Sequence, residues 1–215
     1  MRTRIASART ETTQTNVMPL DILLALVTFA FVMTFTPGPN NIMLAASGVN
    51  FGFVRTIPHM AGVSIGFLVL VLACGAGLGL VFAAVPSLQL ALKIAGAVYM
   101  LWLAFKVATA HQTREDGGGR ARPFTFWQAA AFQWVNPKAV VAVLGALALY
   151  VRPGHAWQDL PIMLIVFGLA TAGSVTTWTG FGVGLRRFLR DPAHARAFNF
   201  VMALLLVASI VPMLV

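Results

Sequence analysis

The feature that most constrains the fold is the six-residue segment Thr36–Asn41 (TPGPNN), which interrupts apolar sequence on both of its sides. Two prolines and a glycine break a helix, and two asparagines add amide groups that hydrocarbon cannot satisfy. A membrane protein tolerates such backbone at membrane depth only where it is buried in protein or lines a polar cavity. The segment therefore predicts a binding site inside a membrane protein.

The composition also indicates a membrane protein. Apolar residues make up 59% of the chain, charged residues make up 10%, and the mean hydropathy is +0.83, whereas a soluble domain carries about 25% charged residues. The net charge of +9 does not indicate nucleic-acid binding, because the basic residues stand in short loops between apolar runs, where membrane orientation explains them. The single cysteine, Cys74, and the four histidines show no metal-ligand spacing, so we expect no metal and no other cofactor.

Six apolar segments approach the ~20 residues that a helix needs to cross the hydrocarbon core. We therefore predict an all-α polytopic membrane protein with six transmembrane helices. The segments run over Pro19–Ser47, Thr56–Val85, Leu88–Ala110, Phe124–Tyr150, Leu160–Gly184 and Ala197–Val215.

The fourth segment contains a second interruption, Gln133–Lys138 (QWVNPK), which again has an Asn-Pro pair. Each half of the chain thus opens with a broken helix and continues with two more segments, and an odd number of spans forces the halves into opposite orientations. This is the inverted-repeat plan of many secondary transporters. We predict a first three-helix repeat over 18–110, a polar cytoplasmic loop over 111–123 and a second three-helix repeat over 124–215.

Glycines four residues apart occur in the second and fifth segments, as Gly62 with Gly66 and as Gly180 with Gly184. Small residues at this spacing let two helices approach closely in a membrane. Both pairs therefore predict helix packing.

Lysine and arginine are divided unequally between the two sides of the predicted bundle. One side receives nine of them, and the other receives Lys93, Arg152 and the three arginines of the N-terminal tail. The positive-inside rule places the nine-residue side in the cytoplasm and both termini outside. Residues 1–17 show no apolar periodicity and are predicted to be disordered; a biological start at Met18 would remove them together with their arginines.

The residues of the two interruptions are the candidate substrate-binding residues. Asn40 and Asn41 either contact a ligand or cap the helix that restarts after the break, since Asn is a good helix cap. Lys138 either meets a substrate carboxylate or snorkels toward an interface. With Tyr99 of the third segment, which alternatively forms an interhelical hydrogen bond, the predicted binding residues are Pro37, Gly38, Pro39, Asn40, Asn41, Tyr99, Asn136, Pro137 and Lys138.

No acidic residue falls in the middle of a predicted span, so a buried carboxylate proton relay is absent. If transport is coupled to protons, the candidates are His59, near the start of the second segment, and Asp21, at the outer end of the first. A histidine carries protons near neutral pH, but His59 is equally well read as an interfacial residue.

Four motifs in order resemble the LysE/RhtB family of amino-acid exporters, and the resemblance covers nearly the whole chain from Met18. They are TPGPNN at Thr36–Asn41, GxxR at Gly52–Arg55 followed by GVSIGF, AGAVYMLWLA at Ala95–Ala104, and NPK at Asn136–Lys138. The chain looks closest to the cysteine/O-acetylserine exporter branch, by its Cys74–Gly77, Glu115–Gly117 and Phe126–Gln128 stretches. The NPK form is not expected in every member of that branch, which leaves the substrate open.

The resemblance implies export of small amino acids or derivatives, such as cysteine, O-acetylserine, homoserine or threonine, across the bacterial inner membrane and driven by protons. The expected partners are that substrate, protons and the lipid bilayer, and a homodimer is one assembly that the sequence allows. A channel or a structural membrane protein is the alternative. An enzyme is not expected, because the chain has no Gly-x-Ser-x-Gly, no His-Glu-x-x-His and no mid-span acid.

Overall fold

Helices make up nearly all of the chain that the structure describes, and no strand occurs within residues 18–109 and 122–208. The structure is a computed structural model, and those two ranges are the residues it describes. The α-helices in them are α1 (Leu20–Phe35), α2 (Pro39–Phe51), α3 (Phe53–Ala73), α4 (Gly79–Ala84), α5 (Pro86–Ala108), α6 (Phe126–Val135), α7 (Pro137–Tyr150), α8 (Ala156–Leu185) and α9 (Pro192–Ala208).

Both predicted interruptions are present. The chain leaves α1 through extended backbone at Thr36 and Gly38 and restarts as α2 at Pro39, and the two helices are bent by 52°. It leaves α6 through Asn136 and restarts as α7 at Pro137, with a bend of 63°. Proline suits the first position of a helix because its missing N–H would have no partner there and its fixed φ is already helical.

The number of spans is bounded by length and hydropathy. Among the described residues, two helices are long and apolar enough to cross a membrane by themselves, Phe53–Gly77 and Ala156–Leu185, and each bent pair would add one more span. Within the described residues, α9 is a shorter apolar helix. The prediction of six spans therefore stays a prediction. The tail 1–17, most of the predicted loop 111–123 and residues 209–215 of the predicted sixth segment lie outside the described residues.

The second predicted segment, Thr56–Val85, does not form one continuous α-helix. A π-helical turn at Cys74–Leu78 separates α3 from α4. Gly77 adopts φ +119 there, a conformation that side chains with a Cβ rarely take. This turn therefore interrupts the predicted second segment near its C-terminal end.

Helix α8 lies at the centre of the bundle, where it packs against α1, α2 and α3; α3 also packs against α6, and α5 against α9. One apolar cluster fills the space between α1, α3, α7 and α8. Its aromatic centre is the edge-to-face pair of Phe67 and Phe167, whose ring centroids are 5.3 Å apart.

Close helix approach is confirmed at Gly62 and Gly66, where a Cβ would overlap α6. It was predicted at the wrong glycines in α8. No atom lies within 4 Å of a Cβ added to Gly180 or Gly184. Instead, a Cβ on Gly182 would overlap the carbonyl oxygen of Ala45 in α2. The glycine spacing therefore did not identify the contact in α8, because the tertiary structure turns a different face of this helix toward α2.

An ion pair ties the start of α8 to the preceding loop. The Asp159 carboxylate is fully buried and accepts hydrogen bonds from Arg152 Nη2 at 2.7 Å and from the Arg152 backbone N–H at 2.9 Å. These contacts raise the pKa of Arg152, chiefly through the side-chain hydrogen bond. A buried carboxylate needs such a partner, so the pair fixes the connection between α7 and α8.

Candidate functional site

A cavity lies where the two helix breaks meet at the centre of the bundle. It offers water about 50 Å³ of room, while a single water molecule needs ~10–15 Å³ by this measure. Its walls come from α1, α2, α3, α6, α7 and α8. Most of the predicted binding residues line it, namely Gly38, Pro39, Asn40, Asn41, Asn136 and Lys138.

Asn41 ties the start of α2 to the end of α1. Its Nδ2 donates to the carbonyl oxygens of Thr34 at 2.8 Å and of Thr36 at 2.9 Å. Ser174 of α8 donates to the same Thr34 oxygen at 2.7 Å. The last carbonyls of a helix have no partner within it, so Asn41 and Ser174 satisfy the C terminus of α1. Asn41 thus has a capping role, but at the helix that ends before the break.

Asn40 joins the two breaks to each other. Its Nδ2 donates to Gln133 Oε1 at 2.8 Å, and Gln133 Nε2 donates back to Asn40 Oδ1 at 3.2 Å. Gln133 is fully buried and also donates to the carbonyl of Ala129. This reciprocal amide pair connects α2 to α6 across the cavity. Gln133 stands in the second interruption of the sequence, but only the tertiary structure identifies its partner.

The Lys138 ammonium reaches from α7 to the end of α1. Its Nζ donates to the Thr36 carbonyl at 2.6 Å, to Thr36 Oγ1 at 2.8 Å and to the Pro37 carbonyl at 3.3 Å. An ammonium has three donors, and these three oxygens, which we call the oxygen cage, use all of them. Gly38 makes room for the lysine stem, since a Cβ there would lie 2.8 Å from Lys138 Cδ.

The two restarting helices differ at their N termini. Asn136 caps α7, because its Oδ1 accepts from the Lys138 backbone N–H at 3.2 Å. Within the described residues, no side chain caps α2, although Pro39 occupies the same first position as Pro137 does in α7. The free N–H groups and the positive end of the helix dipole make such an N terminus a site for an anion. The start of α2 is therefore suited to a carboxylate.

One polar side chain of the cavity wall is left without a partner. The hydroxyl of Thr171 in α8 is buried and makes no hydrogen bond within the described residues. A buried unsatisfied hydroxyl is costly, so it calls for an occupant of the cavity. Sequence reasoning missed Thr171; the one available signal was its position three residues before Ser174, on the same face of a helix.

Four of the remaining candidates, Pro37, Pro137, His59 and Asp21, are not among the residues that line the cavity. His59 is fully buried, with Nδ1 3.2 Å from Ser47 Oγ and its ring against Phe124. Its Nε2 has no hydrogen-bond partner within residues 18–109 and 122–208. Asp21 is exposed in the first turn of α1. Pro37 is exposed beside the cavity. Tyr99 lies on α5, and its side chain is outside the described part of the structure.

No metal site is evident in the described ranges. Across 18–109 and 122–208, no three His, Cys, Asp or Glu side chains come close enough together to hold a metal ion. Lys138 is the one charged residue among those lining the cavity in these ranges. The site therefore combines one cation, several amides and hydroxyls, and two helix ends.

Comparison with known proteins identifies the family of the chain. The family model described as LysE type translocator matches residues 31–211. The cysteine/O-acetylserine efflux proteins of Escherichia coli K12 and of Shigella flexneri are each 37% identical to the chain over 191 residues, which cover 86% of this chain and 94% of theirs. No solved structure matches the chain. On the family match and these identities, the chain belongs to the LysE family of translocators, which makes it a transporter and not an enzyme.

Proposed function

We propose that this protein exports small neutral amino acids or their derivatives, of the class of cysteine and O-acetylserine, across the bacterial inner membrane. Family membership supports amino-acid export. The names of the relatives support the substrate class. Homoserine and threonine are further members of this class, because they share a short polar side chain.

The observation that carries the proposal is a polar cavity between two helix breaks. The uncapped start of α2 offers N–H groups to a carboxylate, and Thr171 offers an unused hydroxyl. Water has about 50 Å³ of room in the cavity, which is space for about four water molecules. That size favours short side chains over long or aromatic ones.

We further propose that the bundle comprises two inverted three-helix repeats, which open the cavity alternately to the two sides of the membrane. Two correspondences support this plan. Pro39 and Pro137 each begin the second half of a broken helix, and Pro58 and Pro161 are each the sixth residue of the long helix that follows. The helix contacts between the two halves also correspond: α3 of the first half packs against α6 of the second, and α8 of the second half packs against α1 of the first. Transporter sites commonly form at such paired broken helices.

The charge distribution supports a proposed orientation of the chain in the membrane. The loops rich in Lys and Arg favour a cytoplasmic position for the end of α2 and the start of α3, with both termini outside. The proton gradient is the drive that we propose. Neither His59 nor Asp21 lines the cavity, so if either one carries the proton, it acts at a distance from the cargo.

Flux into proteoliposomes tests this function. Purified protein should carry radiolabelled L-cysteine, kept reduced, O-acetyl-L-serine or L-threonine with saturable kinetics, and an imposed pH gradient should drive accumulation. Flux that does not saturate would indicate a channel. The absence of flux for every small amino acid tested would refute the proposal.

The Thr171→Val variant tests the cavity itself. Because the hydroxyl has no hydrogen-bond partner among the residues that the structure describes, the substitution should leave the fold intact. Loss of one hydrogen bond to the cargo, at about 0.5–1.5 kcal/mol, should raise KM about two- to tenfold. Thr176→Val is the matched control, since Thr176 is exposed on the same helix and bonds to its own Ala172 carbonyl. Equal KM values for the two variants would place the cargo elsewhere.

A further inference from the structure

The end of α1 carries a binding site for a cation. The oxygen cage consists of two backbone carbonyls and one hydroxyl, all within 3.3 Å of one point, which the Lys138 ammonium occupies. The C terminus of a helix adds about half a negative charge at this place. In transporters with broken helices, such half-helix ends and unwound carbonyls hold a coupling cation. Here the cation is a side chain of the protein.

The two sides of this break match the two charges of an amino acid. The end of α1 presents carbonyl oxygens and negative potential, and the start of α2 presents N–H groups and positive potential. A zwitterion carries an ammonium and a carboxylate on the same carbon atom, and in this break Pro37, which supplies a cage oxygen, stands two residues before the first residue of α2. In the structure the start of α2 has no side-chain cap, but the cage is filled by Lys138.

Lysine is suited to leave this place. Its ammonium sits on a flexible four-carbon stem and readily loses its proton when removed from water. Loss of the proton would leave two donors for three acceptors and would put a lone pair near an oxygen. The Thr36 carbonyl would keep its bond from Asn41, so the cage itself would stay in place for another ammonium group.

We propose that the oxygen cage is the binding site for the α-ammonium group of the cargo, and that the Lys138 ammonium fills it in alternation with the cargo. This inference rests on the proposed export of amino acids. When cargo enters, an N–H bond of Lys138 breaks, the electron pair stays on Nζ, and the proton passes to water on the side from which the cargo came. When cargo leaves on the opposite side, water there returns one proton to Nζ. One proton thus moves inward for each amino acid exported.

Other titratable groups do not share this site. Helices α2 and α6 carry no Asp, Glu, His, Lys or Arg. The titratable groups on the other elements around the cavity do not line it: Asp21 is exposed, His59 contacts Ser47, and Asp159 is paired with Arg152. Three further groups stand on or directly beside these elements: Arg55 is exposed in the first turn of α3, Cys74 follows the last residue of α3, and Tyr150 ends α7.

Proton release on binding tests the inference in the unaltered protein. Reduced L-cysteine is added to full-length protein in weakly buffered detergent solution that contains a pH indicator. We expect about one proton released per cysteine bound at a pH where Lys138 is charged, and an apparent Kd that rises about tenfold per pH unit of acidification. Saturable cysteine transport without proton release would overturn this inference alone. The absence of transport of any small amino acid would overturn the proposed function and this inference with it.

Two substitutions separate alternation from direct binding of the carboxylate by Lys138. Lys138→Met empties the cage, so cysteine should bind independently of pH and without proton release, and a pH gradient should no longer drive accumulation. Lys138→Arg keeps a permanent cation in the cage and should block binding. The opposite pattern, with binding kept by Lys138→Arg and lost in a folded Lys138→Met protein, would show that Lys138 holds the carboxylate and would overturn the inference.

Discussion

The carbonyl oxygen of Thr34 allows a sharp test of how the helix break is held. It accepts one hydrogen bond from Asn41 at 2.8 Å and one from Ser174 at 2.7 Å, and within the described residues these are its hydrogen-bond donors. Either donor alone keeps the carbonyl satisfied. Removing both donors leaves the Thr34 carbonyl inside the bundle without a hydrogen bond, which adds a free-energy cost that neither single substitution has.

The magnitudes follow from the bonds that are lost. A typical hydrogen bond contributes about 1 kcal/mol net. Asn41→Ala loses the two bonds that Asn41 donates and the longer one, at 3.4 Å, that its Oδ1 accepts from Ser174. It should cost about 2 kcal/mol, because the Thr36 carbonyl keeps Lys138 and the Thr34 carbonyl keeps Ser174. Ser174→Ala should cost about 1 kcal/mol. The double variant should cost about 4 kcal/mol or more, since a buried acceptor left unsatisfied adds about 1–3 kcal/mol.

The assay is a double-mutant cycle on the free energy of unfolding, measured by denaturant titration of purified protein in mixed micelles. The control cycle combines Asn41→Ala with Thr176→Ala, whose hydroxyl bonds within its own helix turn, and should be additive within about 0.5 kcal/mol. If the free-energy changes of Asn41→Ala and Ser174→Ala are also additive, the Thr34 carbonyl is not the shared acceptor that holds the break.

Two further predictions concern stability. Gly182→Ala should destabilise the protein by about 1–3 kcal/mol through overpacking, because its Cβ would overlap the Ala45 carbonyl. The control, Gly180→Ala, has open space around its Cβ and should be neutral or stabilising. Equal melting temperatures of the two variants in detergent would contradict this packing. Arg152→Met should lower the stability of the protein more than Asp159→Asn does, because it leaves a fully buried carboxylate without its partner. Acidification should restore stability only to the Arg152→Met protein, since it neutralises that carboxylate. A lower melting temperature for Asp159→Asn than for Arg152→Met would contradict the buried pair.

Sequence reasoning located both helix breaks because proline and glycine act locally. Proline removes a donor and clashes with the preceding helical turn wherever it stands, so the restarts at Pro39 and Pro137 could be read without any tertiary contact. The all-helical character followed equally directly from long apolar runs. The family resemblance rested on the same local motifs and is confirmed by the family match.

The roles of individual polar residues were not readable in this way. Asn40 and Asn41 were expected either to contact a ligand or to cap the next helix. The structure bonds them to Gln133 and to the end of α1, within the described residues no side chain caps α2, and contact with a ligand stays a prediction. Those partners lie up to 93 positions away. A hydrogen bond between distant segments depends on how the helices pack, and hydropathy patterns carry no information about it.

The sequence alone therefore determined where the helices break and that the breaks must face a polar interior, since hydrocarbon cannot satisfy broken backbone. Only the tertiary structure decided which helix end receives which side chain. It brings Lys138 to the carbonyls of Thr36 and Pro37, and leaves the start of α2 without a side-chain cap. The physical reason is that a lysine donates to whichever acceptors the packing places within reach, and packing is a property of all the helices together.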